Sequence, residues 1–171
     1  MSQNATSLQQ RRLIVVMGPA GAGKSAVGSA VARLLGVRFI EGDEFHPPEN
    51  IAKIRAGMGL TNEERRPWIR SIGEAVRALD DPVAVLACSA LNWKIRAMMK
   101  EEIPADLRFF LLDVPEAELR RRLATRQGHF AGPALLQSQL AAMDRAEEAR
   151  RVDGTRPVAA IAREIAALAE A

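Results

Sequence analysis

Short, unbroken apolar runs alternate along this chain with longer amphipathic segments. "RLIVVM" (12–17) shows no polar–apolar alternation, which predicts a parallel strand covered on both faces. The same reading applies to "VRFIEGD" (37–43), "PVAVLACSA" (82–90) and "LRFFLLDV" (107–114), with a fainter fifth strand near "ARRVDG" (149–154). Between them, apolar residues recur at helical spacing. Val27, Val31, Leu34 and Leu35 define a helix over 24–36 that stops at Gly36. "PPENIAKIRAG" (47–57) begins with prolines suited to a first turn and reads as a short helix. In 61–81 a capping threonine and acids precede Ile69, Ile72, Val76 and Leu79, with Pro67 marking a kink or the start of the main body. Further helices are predicted over 90–103, 115–126, 134–151 and 157–171, with a glycine-containing loop over 127–134. Strands alternating with helices indicate an α/β fold: a doubly wound parallel sheet flanked by helices, with ligands at the carboxyl ends of its strands.

Composition narrows this picture. A chain of 171 residues is most simply one domain, assigned to 12–171, with residues 1–11 as a flexible polar arm. The lone cysteine, Cys88, excludes an internal disulfide and suits a reducing compartment. The longest apolar runs are too short to span a bilayer and the start lacks a secretory pattern, so the expected location is cytoplasmic, with no membrane partner. A net charge of +3 suits anionic ligands without choosing among them. With no tyrosine and few aromatics, a base-stacking platform is poorly supplied, and no nucleic-acid partner is expected.

The stretch "GPAGAGKSA" (18–26) changes the picture most. Gly18, Gly23, Lys24 and Ser25 satisfy G-x-x-x-x-G-K-[ST] between a predicted strand and a predicted helix. In such a loop, backbone N–H groups converge on phosphate oxygens, and side chains would block their approach. That accounts for Pro19, Ala20, Gly21, Ala22 and Ala26 around the charged pair. Lys24 is expected at the β- and γ-phosphates of ATP and Ser25 on Mg²⁺.

The third strand ends in "ACSA" rather than in the aspartate of a motor ATPase or GTPase, and no guanine-reading N/T-K-x-D is evident. The acids instead follow the second strand, in "EGDEFHP" (41–47). Glu41 and Asp43 are two apart, so on an extended segment both point the same way. One acid can support the metal while the other orients or deprotonates a hydroxyl nucleophile.

At this point the sequence resembles the gluconokinase family, small P-loop kinases related to shikimate and nucleoside monophosphate kinases. The matching stretches are "MGPAGAGKSAV", "EGDEFHPPENIAKIRAGMGL", "ERRPWI", "CSALNWKIR" and "RQGHF", in the family's order. The resemblance implies a P-loop kinase fold with a small helical lid at about 120–135, and transfer of the ATP γ-phosphate to the 6-hydroxyl of D-gluconate. It makes Asp43 the candidate for the reactive hydroxyl and Glu41, with Ser25, the candidate metal support. His46, Lys53, Arg65, Ser89 and Arg96 are candidates for the polyol and carboxylate. Arg122 and Arg126 are expected to close on the phosphates, with His129 beside the substrate. A homodimer is also implied. The rival readings are a kinase for another hydroxy acid such as shikimate, and a nucleotide-dependent regulatory protein. Departures from the family pattern are Asn92 and Ile95 after "CSAL", Gly59 where proline is common, Glu41 where aspartate is common, and "MDRAEE" (143–148).

Overall fold

The apolar run at 12–17 becomes the central strand of a five-stranded sheet in the computed structural model, which describes residues 10–126 and 132–171. The strands are β1 (Arg12–Met17), β2 (Arg38–Glu41), β3 (Val83–Ala87), β4 (Asp106–Asp113) and β5 (Arg150–Asp153). They lie in the order β2–β3–β1–β4–β5, and every neighbouring pair is parallel. The helices are α1 (Lys24–Leu35), α2 (Pro48–Arg55), α3 (Asn62–Arg77), α4 (Trp93–Glu102), α5 (Glu116–Thr125), α6 (Pro133–Ala142) and α7 (Val158–Glu170). Strand order reverses across β1, between β3 and β4, so the loop after β1 opens at a switch point where α/β sheets bind ligands.

Successive β1 residues serve opposite layers. Leu13, Val15 and Met17 pack with Ile69, Ile72 and Val76 of α3 and with Ile95 and Met99 of α4. Ile14 and Val16 pack with Val27 and Val31 of α1 and with Ile161 and Ile165 of α7. Both faces are covered, which explains why the strand reads as continuously apolar. Each fully buried aliphatic side chain contributes roughly 1.5–3 kcal/mol relative to exposure. Helix α3 starts with a reciprocal capping box in which the Thr61 hydroxyl accepts from Glu64 N–H and the Glu64 carboxylate accepts from Thr61 N–H. Pro67 lies inside the continuous helix. No helix among the described residues is long and apolar enough to cross a membrane.

Three expectations are corrected. Arg11, assigned to a flexible arm, is anchored: its guanidinium donates to the carbonyls of Asp81, Val76 and Leu79 at the end of α3. It thereby ties the start of β1 to the last turn of α3 and to the connection that follows it. The helix predicted over 134–151 ends at Ala142. Beyond it, the Asp144 carboxylate accepts from Trp93 N–H and Ala146 N–H, and Ala146 takes a left-handed φ of 48°. Side-chain bonds to backbone of this kind compete with helix continuation. Finally, β2 stops at Glu41 and residues Gly42–Phe45 form a 3₁₀ turn, so Glu41 and Asp43 do not share an extended segment.

Candidate active site

The phosphate loop joins β1 to α1. Gly21 and Gly23 hold φ of 86° and 93°, conformations that a side chain resists, and Gly23 is the N-cap of α1. Lys24 follows at the first helical position, and its Nζ donates to Pro19 O at 3.0 Å. Burial lowers the lysine pKa, opposed by the charges of Asp43 and Glu41. The Ser25 hydroxyl donates to Glu41 Oε2. Burial raises the Glu41 pKa, and the serine hydrogen bond opposes that shift. Serine and carboxylate oxygens beside a phosphate loop are the donor set that Mg²⁺ accepts, since it prefers a few oxygens and completes its shell with phosphates and water. The residues present fit that ion.

Opposite the loop, the 3₁₀ turn brings Asp43 into the same cleft, whose volume of about 970 Å³ includes space open to solvent. His46 stacks on Trp68 with ring centroids 4.2 Å apart, and Trp68 Nε1 donates to Gly42 O at 2.7 Å. One aromatic therefore fixes both the acid-bearing turn and the histidine. Asn50, itself buried, lies 3.4 Å from His46 Nδ1 and donates to Glu64 O at 2.8 Å. Arg65 lines the cleft and donates to Leu60 O, with its pKa lowered by burial.

Burial lowers the His46 pKa to about 4, with Asp43 opposing and Arg65 reinforcing. The ring is therefore neutral at pH 7. Because the folded value lies below the ordinary value of about 6.5, the stabilisation is complete above pH 6.5 and is lost as pH falls toward 4. With only two histidines in the chain, His46→Gln assigns the NMR signal. Its titration midpoint is expected near 4, and a midpoint at 6 or above would contradict the buried, neutral ring.

The cleft brings together Ala20, Gly21, Gly23, Lys24, Ser25, Asp43, His46, Arg65, Ser89 and Arg126. Other candidates lie elsewhere. Arg96, expected near the substrate carboxylate, is 1% exposed and spends its donors on Glu148, Asp144 and Ala90 O. With its guanidinium nitrogens engaged in this way, Arg96 is corrected to a framework residue that supports the segment after β3 through Ala90 O. Lys53 is paired with Glu64. Arg122 is no free phosphate ligand either: it donates to the carbonyls of Gly21, Ala22 and Gly154 and pairs with Glu118. It braces the phosphate loop. His129 lies outside the described residues. Cys88 is buried, and desolvation pushes its thiol up to about 12.

Sequence reasoning missed Trp68 as a cleft residue, along with Leu135, Ser138, Gln139 and Ala142 of α6. Trp68 stood in "RPWI" beside core positions, and nothing in the pattern separates a core indole from one that also stacks on a site histidine. Gly59, the departure from proline, lies against Ser138, whose hydroxyl would have to swing aside to admit a side chain there.

A phosphate loop facing an acid-bearing turn across one cleft, at the switch point of a 2–3–1–4–5 parallel sheet, defines a P-loop kinase. The shikimate kinase family model matches residues 20–166. Gluconokinase of Gluconobacter oxydans is 38% identical over 150 residues, 84% of this chain and 82% of that protein. Thermosensitive gluconokinase of Escherichia coli is 36% identical, over 77% of this chain and 71% of that protein. The solved structure of a gluconokinase from Sinorhizobium meliloti is 43% identical with a TM-score of 0.78, covering 92% of this chain and 90% of that one. The chain belongs to the gluconokinase family. An adenosine phosphosulfate (APS) kinase of Mycobacterium tuberculosis, 20% identical with a TM-score of 0.69, shares the fold.

Proposed function

We propose that this enzyme transfers the γ-phosphoryl group of ATP to the 6-hydroxyl of D-gluconate, giving 6-phospho-D-gluconate and ADP. The observation that carries the reading is the single cleft in which Lys24 and Ser25 meet Asp43. Asp43 orients the acceptor hydroxyl and receives its proton as the new O–P bond forms. Lys24 stays with the β- and γ-phosphate oxygens while the bridging bond to ADP breaks. Mg²⁺, held by Ser25 with Glu41 beside it, supplies further positive charge to those oxygens when bound. Arg126 closes over the transferring group as part of a lid and excludes water. His46, neutral, and Ser89 offer hydrogen bonds to the polyol. With Arg96 and Lys53 already paired with protein carboxylates, Arg65 is the cation in the cleft for the gluconate carboxylate.

A coupled assay with ATP, Mg²⁺ and a panel of gluconate, glucose and shikimate tests the reading. Glucose closes into a ring and lacks the carboxylate. Leaving a desolvated cation unmatched costs on the order of 2–5 kcal/mol. Gluconate should therefore exceed glucose in kcat/KM by roughly 30- to 4,000-fold. Arg65→Ala should erode this preference while barely moving KM for ATP. Equal values for gluconate and glucose in the wild type would remove gluconate as the substrate. Preference for shikimate would favour the other acid.

A further inference from the structure

The amide of Ala20, in the phosphate loop, donates to Oε1 of Gln139, 119 residues away on α6, at 2.7 Å. A backbone N–H can only donate, so the carboxamide oxygen must face it. The amide orientation of Gln139 is thereby set by chemistry, and its Nε2 group has two donors with no hydrogen-bond partner among the described residues. Gln139 lines the same cleft as Lys24, Ser25 and Arg126. Helix α6 is held there from the far side as well, because Ser138 and Ala134 pack directly on Gly59 and Gly57 of the α2–α3 connection. The carboxamide is thus fixed between the phosphate loop and the acceptor wall, with donors to offer and oxygen-rich ligands to receive them.

We infer that Gln139 is a positioning residue that reads the γ-phosphoryl end of the nucleotide: its oxygen holds Ala20 N–H, and its Nε2 donates to a γ-phosphate oxygen. Occupancy of the loop by ATP then gives α6 a second anchor there, and with it the acceptor wall formed by Leu135, Ser138 and Ala142. ADP, lacking the γ-group, makes no such bond. The contact therefore ties the acceptor wall more firmly to bound ATP than to ADP. It rests on the proposed kinase reaction for its purpose, but its nucleotide contact can be tested without an acceptor.

The test compares ADP with a non-hydrolysable ATP analogue, each with Mg²⁺, by calorimetry on wild type, Gln139→Glu and Gln139→Met. Glutamate is isosteric and still accepts from Ala20 N–H, but it turns the donors into a carboxylate facing the γ-phosphate. Methionine removes both functions at similar length. Gln139→Glu is expected to weaken the ATP analogue at least tenfold while changing ADP by less than threefold. Gln139→Met is expected to weaken the analogue more than ADP. In turnover assays kcat should fall about tenfold or more in both variants. Equal weakening of the two nucleotides would make Gln139 only a brace for the loop, and affinities within twofold of wild type for both would remove any role. Either result overturns the inference. Failure of the wild type to phosphorylate gluconate would instead overturn the substrate reading, while the nucleotide comparison would still decide Gln139.

Discussion

Asp43→Asn is expected to lower kcat by about 10²–10⁴-fold, the range for removing a positioned acid–base group. The substitution keeps size and shape and removes the charge that orients the hydroxyl and receives its proton. The turn carrying Asp43 is held by other means: Trp68 Nε1 bonds Gly42 O, and His46 N–H bonds Asp43 O through backbone alone. The variant should therefore fold, and its affinity for ATP should stay within a few-fold of wild type. Steady-state kinetics with thermal unfolding on the same samples make the check. Normal kcat with a depressed Tm would make Asp43 a structural residue of the turn.

Lys24→Ala is expected to reduce turnover by roughly 10²-fold or more, because it withdraws a fixed cation from charge that develops during transfer. Its one hydrogen bond in the described structure is to Pro19 O within its own loop, and the loop's shape rests on Gly21, Gly23 and the Arg122 brace. Circular dichroism and Tm should therefore change little. Turnover within threefold of wild type would remove Lys24 from the phosphate site.

The legible parts of the molecule were those written in consecutive residues. The phosphate loop is one such stretch, because its function is carried by its own backbone and two side chains. The strands and most helices were legible for the same reason, since covered strands and amphipathic helices impose their period locally. The helix expected through 134–151 failed because Asp144 is claimed by Trp93 N–H and Arg96, partners about 50 residues away. Arg11 failed likewise: a basic residue in a polar arm gives no hint that three carbonyls at the end of α3 await it.

The candidate site divides along the same line. The phosphate-loop motif named Lys24 and Ser25, the resemblance to the gluconokinase family added Asp43, His46, Arg65 and Arg126, and all six line one cleft. The charge of an arginine or lysine, however, does not say whether it is spent. Folding spent Arg96 on Asp144 and Glu148, because a buried cation must be paired, and it brought Lys53 to Glu64 and Arg122 to the phosphate loop. It also turned Gln139, an ordinary helix residue in sequence, toward Ala20 N–H. The kinase class was therefore settled by the chain's local motifs. Which polar groups remain free to meet substrate was settled only when distant elements packed, since a hydrogen bond used within the protein is no longer available to a ligand.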